Sequence, residues 1–153
     1  MDAILQLWTV APDLKVRLLV LILSAQMLIT ILAYMRMSRA RVGAAKAGRL
    51  EPDVYKAVGD SEPDDLRVYT RAVANQFESP VMFYAVIIAG LAVNVSSWIT
   101  VVLGIVYVVM RWFHLNEMTT KNEVFKRRRM FIRSIQVLML MIAELVLSAM
   151  FFI

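Results

Sequence analysis

Cysteine is absent from the chain, and histidine occurs once among its 153 residues, at His114. The absence of cysteine excludes disulfides, thiolate metal sites and cysteine nucleophiles. A single histidine argues against a histidine-based metal cluster, because such zinc sites combine several side-chain ligands. We therefore expect no bound metal.

Strand-like alternation, internal repeats and low-complexity tracts are also missing from the sequence. A cleavable signal peptide is not evident either. The first apolar run follows Asp13, Lys15 and Arg17, is too long for the core of a signal peptide and lacks a small-residue cleavage site. We expect this run to remain in the protein as a membrane span.

Apolar residues are abundant: they make up 60% of the chain, and the mean hydropathy is +0.66. A soluble domain is closer to half apolar. Four apolar runs are each long enough to cross a hydrocarbon core about 30 Å thick. The sequence therefore predicts one domain over residues 1–153, an all-α integral membrane bundle of four transmembrane helices. The predicted spans cover about residues 14–37, 68–93, 98–116 and 130–153.

The net charge of +5 admits either nucleic-acid binding or a membrane protein with basic loops. Charge position favours the membrane protein. Of the 17 lysines and arginines, only Lys15 and Arg17 lie outside the stretch from Arg36 to Arg133. The positive-inside rule then places the links 38–65 and 117–129 in the cytoplasm and both termini outside. We expect no nucleic-acid partner.

A polar stripe opens the second span. Arg67, Arg71, Asn75 and Glu78 fall within a sector of about 80° on a helix. Facing lipid, such groups would cost about 2.5–3.5 kcal/mol per charge at mid-membrane. The stripe therefore faces protein, a ligand or a water-filled cleft. A salt-bridge network from Glu78 to Arg71 or Arg111 is the structural alternative, and a ligand site is favoured because intramembrane ionisable groups are functional candidates.

The other spans bring arginine to the same depth. Arg36 ends the first span, and Arg111 and His114 share one face of the third. His114, which lies beside two aromatic residues, has an alternative role in interfacial packing. In the fourth span Arg133 and Ser134 lie about a turn deeper than the basic run 126–129, whose simplest role is to contact lipid phosphates.

Several arginines with one carboxylate and one amide suit a small zwitterionic guest. Arginine binds carboxylates in a bidentate manner. Glu78 would pair with an ammonium group, and Asn75 offers both a donor and an acceptor. Glutathione has two carboxylates, one ammonium and a thiol, and an arginine near that thiol would favour the nucleophilic thiolate.

The segment RAVANQFESP, residues 71–80, resembles the second helix of the MAPEG family, the membrane-associated proteins in eicosanoid and glutathione metabolism. That helix carries R-x3-N-x2-E followed by a proline, here Arg71, Asn75, Glu78 and Pro80. The four spans, the long first link and the R-x-x-H pair on the third helix are similar as well. The resemblance covers nearly the whole chain and is to a bacterial-type member.

The resemblance implies a homotrimer in a bacterial inner membrane, with glutathione bound as co-substrate between subunits near the cytoplasmic face. It also implies lipids and lipophilic small molecules as partners. By position, Arg133 and Ser134 match the arginine–serine pair that contacts the thiol, with Arg127 or Arg128 as alternatives. The predicted glutathione-binding set is Arg36, Arg67, Arg71, Asn75, Glu78, Arg111 and His114.

Three features depart from the family pattern. Met118 stands where some members have a tyrosine, and Pro80 follows Glu78 by only two residues. The third connection is longer than in the eukaryotic synthases, which is why Arg127 or Arg128 is retained as an alternative to Arg133. Glu144, deep in the fourth span, is expected to be structural, with a ring around the trimer axis as the alternative.

These observations predict a glutathione transferase or peroxidase that acts on lipophilic electrophiles in detoxification. The first alternative is a non-catalytic lipid-binding or scaffold protein, since the MAPEG family includes such a member. A small transporter is a third hypothesis, disfavoured because the charges cluster at one interface.

Overall fold

Helices form almost all of the protein. The computed structural model describes residues 13–50, 54 and 62–152, and no strand occurs in those ranges. A short 3-10 turn, Asn75–Phe77, separates the second helix from the third. The helices are α1 (Leu14–Lys46), α2 (Asp64–Ala74), α3 (Ser79–Ala92), α4 (Trp98–Thr119) and α5 (Val124–Phe152).

Four spans are present in the described part of the chain: α1, α2 with α3, α4 and α5. Each is long and apolar enough to cross a membrane. The predicted fold class, an all-α membrane bundle of four spans, is therefore confirmed. We call the end of the bundle where α2 and α5 begin the link end, and the end where residues 93–97 join α3 to α4 the turn end.

The helices extend further at the link end than the sequence predicts. α1 has 33 residues and continues past Met37 to Lys46; at 1.5 Å per residue this is about 50 Å, longer than a bilayer core is thick. Only residues 120–123 separate α4 from α5, so the basic run lies on a helix. The N-terminal residues 1–12, much of the polar link and the predicted end at Ile153 lie outside the described residues.

At the turn end, side chains fix the starts of two helices. Asp13 accepts a hydrogen bond from the Lys15 backbone N–H at 3.3 Å, and this bond lowers the pKa of the Asp13 carboxyl. Ser97 Oγ accepts from the Thr100 backbone N–H at 3.0 Å. Both caps satisfy donors that the first turn of a helix leaves unpaired.

The second span is broken where the sequence predicts one helix. Pro80 lies in the first turn of α3, and Glu78 before it has φ −98° and ψ −104°, outside the helical range. A proline inside a helix would clash with the carbonyl four residues earlier, here that of Gln76. The chain avoids this clash by ending α2 at Ala74 and restarting at Ser79. The break lies within the predicted polar stripe.

The apolar core lies between α1, α3, α4 and α5. Phe83 and Tyr107 stack with ring centroids 4.2 Å apart, and the Tyr107 hydroxyl is 3.1 Å from Ser79 Oγ. Packing is close at Gly104, where an added Cβ would lie 3.2 Å from Ile22 Cγ2. The buried cluster comprises Leu19, Ile22, Phe83, Val86, Ile87, Val101, Tyr107, Leu138 and Met141.

At the link end, polar contacts fix the start of α2 against α1. Arg41 Nε donates to Glu62 Oε1 at 3.0 Å, and Thr70 Oγ1 donates to Glu62 Oε2 at 2.6 Å. Gln26, fully buried on α1, donates to Gln76 Oε1 at 3.3 Å beside the helix break. These contacts set the depth and direction from which α2 approaches the break.

Candidate functional site at the link end

An arginine from α4 donates a hydrogen bond to the backbone at the break between α2 and α3. Arg111 is fully buried, and its Nη2 donates to the backbone carbonyl of Asn75 at 2.8 Å. This carbonyl is near the end of α2, where backbone acceptors lose their helical partners. Arg111 Nε and Nη1 have no hydrogen-bond partner in the described part of the chain. Arg111 thus supports the break and leaves a buried positive charge beside it.

A cavity of about 390 Å³ lies over the break, between α2, the end of α4 and the start of α5. This volume falls within the range of small-molecule sites, about 300–1,000 Å³. Its walls combine cationic, anionic, amide and apolar groups. The lining residues are Arg71, Ala74, Asn75, Glu78, His114, Met118, Val124, Arg127, Arg128 and Phe131.

The salt-bridge alternative for the polar stripe is not what the structure contains. Within the described ranges, Glu78 has no lysine or arginine nitrogen within 4 Å, and neither Arg71 nor Arg111 pairs with a carboxylate. Glu78 and Arg71 are exposed at the cavity. A guest with both charges could therefore bind to both without first breaking an internal ion pair.

Asn75 is held by its neighbours. Its Nδ2 donates to the Arg71 carbonyl at 3.1 Å and lies 3.9 Å from Met118 Sδ. The Oδ1 acceptor is not used in these contacts. The side chain therefore keeps an acceptor for a guest, and Met118 supplies a thioether where a family tyrosine would supply a hydroxyl.

His114 links α4 to the start of α5. Its ring is buried, its Nδ1 is 3.1 Å from the Arg127 carbonyl, and it lies against Phe131 with centroids 5.7 Å apart. Because a carbonyl only accepts, Nδ1 carries the proton, and in neutral imidazole Nε2 is then an acceptor. Nε2 has no partner among the described residues. His114 thus has the packing role and also lines the cavity.

The basic run divides between several roles. Lys126 pairs with Glu117 at 3.5 Å, and Arg127 Nη1 donates to Asn122 Oδ1 at 2.5 Å. Arg128 lines the cavity, is exposed and has no ion pair within the described ranges. Arg129 is exposed but does not line the cavity. Only part of the run therefore remains available as a lipid anchor.

Besides the buried Arg111 beside the break, four predicted residues do not line the cavity of the single chain. Arg36 donates to Thr119 Oγ1 and Asn116 Oδ1, both at 2.6 Å, and ties α1 to α4. Arg67 pairs with Asp64 at 3.4 Å. The other two are on α5, where they do not line the cavity: Arg133 is exposed, whereas Ser134 is fully buried and donates to the Phe131 carbonyl at 2.7 Å.

Sequence reasoning did not single out Phe131, which forms part of the cavity wall and contacts His114. The sequence could have identified Phe131 from its spacing. It lies four residues after Arg127 on the same helix, and residues at that spacing share a face. Ala74 and Val124 were also missed; no charge or motif distinguished them. They are apolar wall residues that only the assembled cavity identifies.

Comparison with known proteins agrees with this architecture. No curated protein and no solved structure matches the chain. One family model does match, and it spans residues 19–147, which include most or all of each span and every described residue that lines the cavity. The chain therefore belongs to the MAPEG family and is a multi-pass membrane protein.

Proposed function

We propose that this protein binds glutathione in the link-end cavity and conjugates it to lipophilic electrophiles, or uses it to reduce lipophilic peroxides. The observation that carries the proposal is the set of groups at one cavity. Arg71, Arg128 and Glu78 all line it, and none of them has an ion-pair partner among the described residues. Membership of the MAPEG family supports a glutathione-related role.

The charges of the cavity match those of glutathione. In the proposed complex Arg71 and Arg128 bind its carboxylates, for which the guanidinium group is suited in geometry and charge. Glu78 binds the ammonium group, and Asn75 Oδ1 accepts from a peptide N–H. In the complex the apolar wall formed by Phe131 and its neighbours would reduce the contact of these groups with water, which strengthens their interactions.

Stabilisation of the thiolate would be the chemical contribution of the protein. Positive charge near the thiol lowers its pKa, and the proton passes to solvent. In conjugation the thiolate sulfur forms a bond to the electrophilic carbon, and the leaving group departs with the bonding electrons. In peroxide reduction two glutathione molecules are oxidised to the disulfide, while the peroxide yields an alcohol and water.

The proposed thiol-contacting residue is Arg128 or Arg127, in preference to Arg133 and Ser134. Both preferred arginines line the same cavity as Arg71, whereas Arg133 does not. The lipophilic substrate would approach from the bilayer, because large apolar side chains cover the outside of the bundle.

The proposed assembly is a homotrimer in which a neighbouring subunit completes the open side of the cavity. A mass measurement in mild detergent tests this, and a trimer is expected. A protein that is monomeric yet binds glutathione with undiminished affinity would contradict the inter-subunit site while leaving the cavity residues in place.

The decisive experiment mixes reconstituted protein with glutathione and records thiolate absorbance in the ultraviolet, followed by conjugation of a chlorodinitrobenzene-type substrate. We expect thiolate to form and chloride to be released in the wild type, and both signals to fall in Glu78→Gln. Glu117→Gln is the control, because Glu117 pairs with Lys126 outside the cavity. Absence of both signals in intact wild-type protein would contradict catalysis.

A non-catalytic glutathione-binding protein is the second candidate, and one observation favours it. Met118 presents a thioether to the cavity, so no hydroxyl is available at this position to donate to a thiolate. Glutathione affinity without thiolate formation or turnover would select this alternative.

A further inference from the structure

The turn end of the bundle contains a second cavity, separate from the link-end site. It is a groove of about 900 Å³ between the first turns of α4 and the last turns of α5. Ile99, Leu103, Leu140 and Leu147 form much of its wall, and among the described residues that line it Glu144 alone is ionisable. A carboxylate at membrane depth is costly unless it is hydrogen-bonded or paired with a cation.

Three hydroxyl groups fix the position of the Glu144 carboxylate. Ser97 Oγ donates to Oε1 at 2.5 Å, Thr100 Oγ1 to Oε2 at 2.9 Å and Ser148 Oγ to Oε1 at 3.3 Å. A carboxylate offers about four acceptor positions, so one on Oε2 is still available. The group is held rigidly at the start of α4 and retains the capacity to accept from a ligand.

The charge of Glu144 has no protein partner in the described part of the chain. No lysine or arginine nitrogen lies within 4 Å of its carboxylate. Lys15 reaches the rim, where its Nζ donates to the Ser96 carbonyl at 3.2 Å, but it pairs with Asp13. The cation that complements Glu144 would therefore come from outside these residues.

We propose that this groove binds lipophilic amines, with the ammonium group on Glu144 and the apolar tail along α4 and α5. Leu140 lies one helical turn from Glu144 toward the link end, and Leu103 lies deeper along α4 than Ser97. An apolar tail bonded directly to the nitrogen would therefore contact these side chains next to the carboxylate. In the groove, apolar side chains follow directly after the carboxylate. In a single-chain amine, the apolar tail follows directly after the ammonium group, so the two sequences of groups match.

A zwitterionic phospholipid fits this order poorly. Its phosphate lies between the ammonium group and the acyl chains, so binding the ammonium at Glu144 would place the phosphate beside Leu140 and Leu103. The described residues that line this part of the groove offer the phosphate no cation. A single-chain amine avoids this desolvation cost.

The test uses the full chain in zwitterionic-lipid nanodiscs and measures the thermal unfolding temperature with dodecylamine or dodecanol. A ligand that binds the folded state raises this temperature. We expect dodecylamine to bind at least about tenfold more tightly than dodecanol, because it adds a charge-assisted hydrogen bond. Empty nanodiscs correct for partition into lipid.

Two variants and one control make the result specific. Glu144→Gln should abolish the preference for the amine, whereas Glu123→Gln, an exposed carboxylate at the link end, should leave it unchanged. Ala143→Leu narrows the groove while keeping the carboxylate, and should weaken binding of both probes.

Equal binding of dodecanol and dodecylamine, or an undiminished amine preference in Glu144→Gln, would overturn the proposal. So would the absence of binding by either probe, the result expected if a second copy of the chain covers the groove. Glutathione is not used in the measurement, so a failure here is independent of the proposed function.

Discussion

Arg67 and Arg71 lie one turn apart on α2, but their surroundings differ. Arg67 pairs with Asp64 and donates to the Glu62 carbonyl at 3.2 Å. Arg71 lines the cavity and has no ion pair within the described ranges. A shared helix face therefore does not give the two residues a shared role. Their difference in environment allows one to serve as the control for the other.

Arg71→Ala should weaken glutathione binding by about 1.5–3 kcal/mol, or roughly 10- to 100-fold in Kd, because a charged hydrogen bond to a carboxylate is lost. Arg67→Ala should change the affinity much less, since that side chain does not reach the cavity. Calorimetric titration of detergent-solubilised protein measures both. Equal losses in the two variants would place the guest elsewhere on α2.

The arginines of α5 also differ in their surroundings. Arg128→Ala should lower the yield of glutathione thiolate, because the positive charge at the cavity wall is removed. Arg129→Ala is the matched control, one residue along the helix and outside the lining. Stopped-flow absorbance measures the effect. If Arg133→Ala removes the thiolate and Arg128→Ala does not, the family position is the correct one, and a neighbouring subunit brings Arg133 to the thiol.

At the scale of elements, the site depends on how the helices meet. α3 and α4 are joined by a tight turn in which the Val95 N–H donates to the Gly90 carbonyl at 2.8 Å. An added Cβ at Gly90 would lie 2.9 Å from the Val95 carbonyl oxygen. Small residues allow membrane helices and their turns to approach this closely. Gly43, on the link-end extension of α1, has no atom within 4 Å of the same position.

Gly90→Ala should therefore destabilise the protein by about 1–3 kcal/mol, the usual cost of overpacking. Gly43→Ala should stabilise it by up to about 1 kcal/mol, because alanine is the better helix former. Thermal unfolding of the two variants in the same detergent gives the comparison. A Gly90→Ala protein as stable as the wild type would mean that the turn packs differently.

At the scale of the whole molecule, all arginines near the cavity belong to one end of a bundle that spans a membrane. The positive-inside rule predicts that this end faces the cytoplasm. The proposed function needs the same orientation, since glutathione must reach the cavity from its own compartment. The charge distribution therefore predicts the same orientation that the proposed chemistry requires.

Single cysteines can test the orientation, because the natural chain has none. Lys121→Cys marks the link end and Ser96→Cys the turn end. In intact cells a membrane-impermeant maleimide should label only Ser96→Cys, and after lysis it should label both. Labelling of Lys121→Cys in intact cells would reverse the topology and remove the supply of cytoplasmic glutathione.

The sequence was sufficient to predict the number of spans. About twenty consecutive apolar residues in a bilayer satisfy their backbone hydrogen bonds by forming one transmembrane helix. It was also sufficient for Arg71, Asn75 and Glu78 as neighbours, since helical spacing and the 3-10 turn both keep them on one side. Their role in binding glutathione stays a prediction, as do the trimer and the orientation.

Only the tertiary structure decided which other residues meet them. Arg36, Arg67, Arg128 and Arg133 are all arginines near the link end, but of these four only Arg128 lines the cavity. Two of the three hydroxyl partners of Glu144 come from the turn before α4 and from its first residues, which the linear pattern of α5 does not reveal. Hydropathy fixes how many helices cross the membrane; their rotation and contacts depend on side-chain packing between segments distant in sequence.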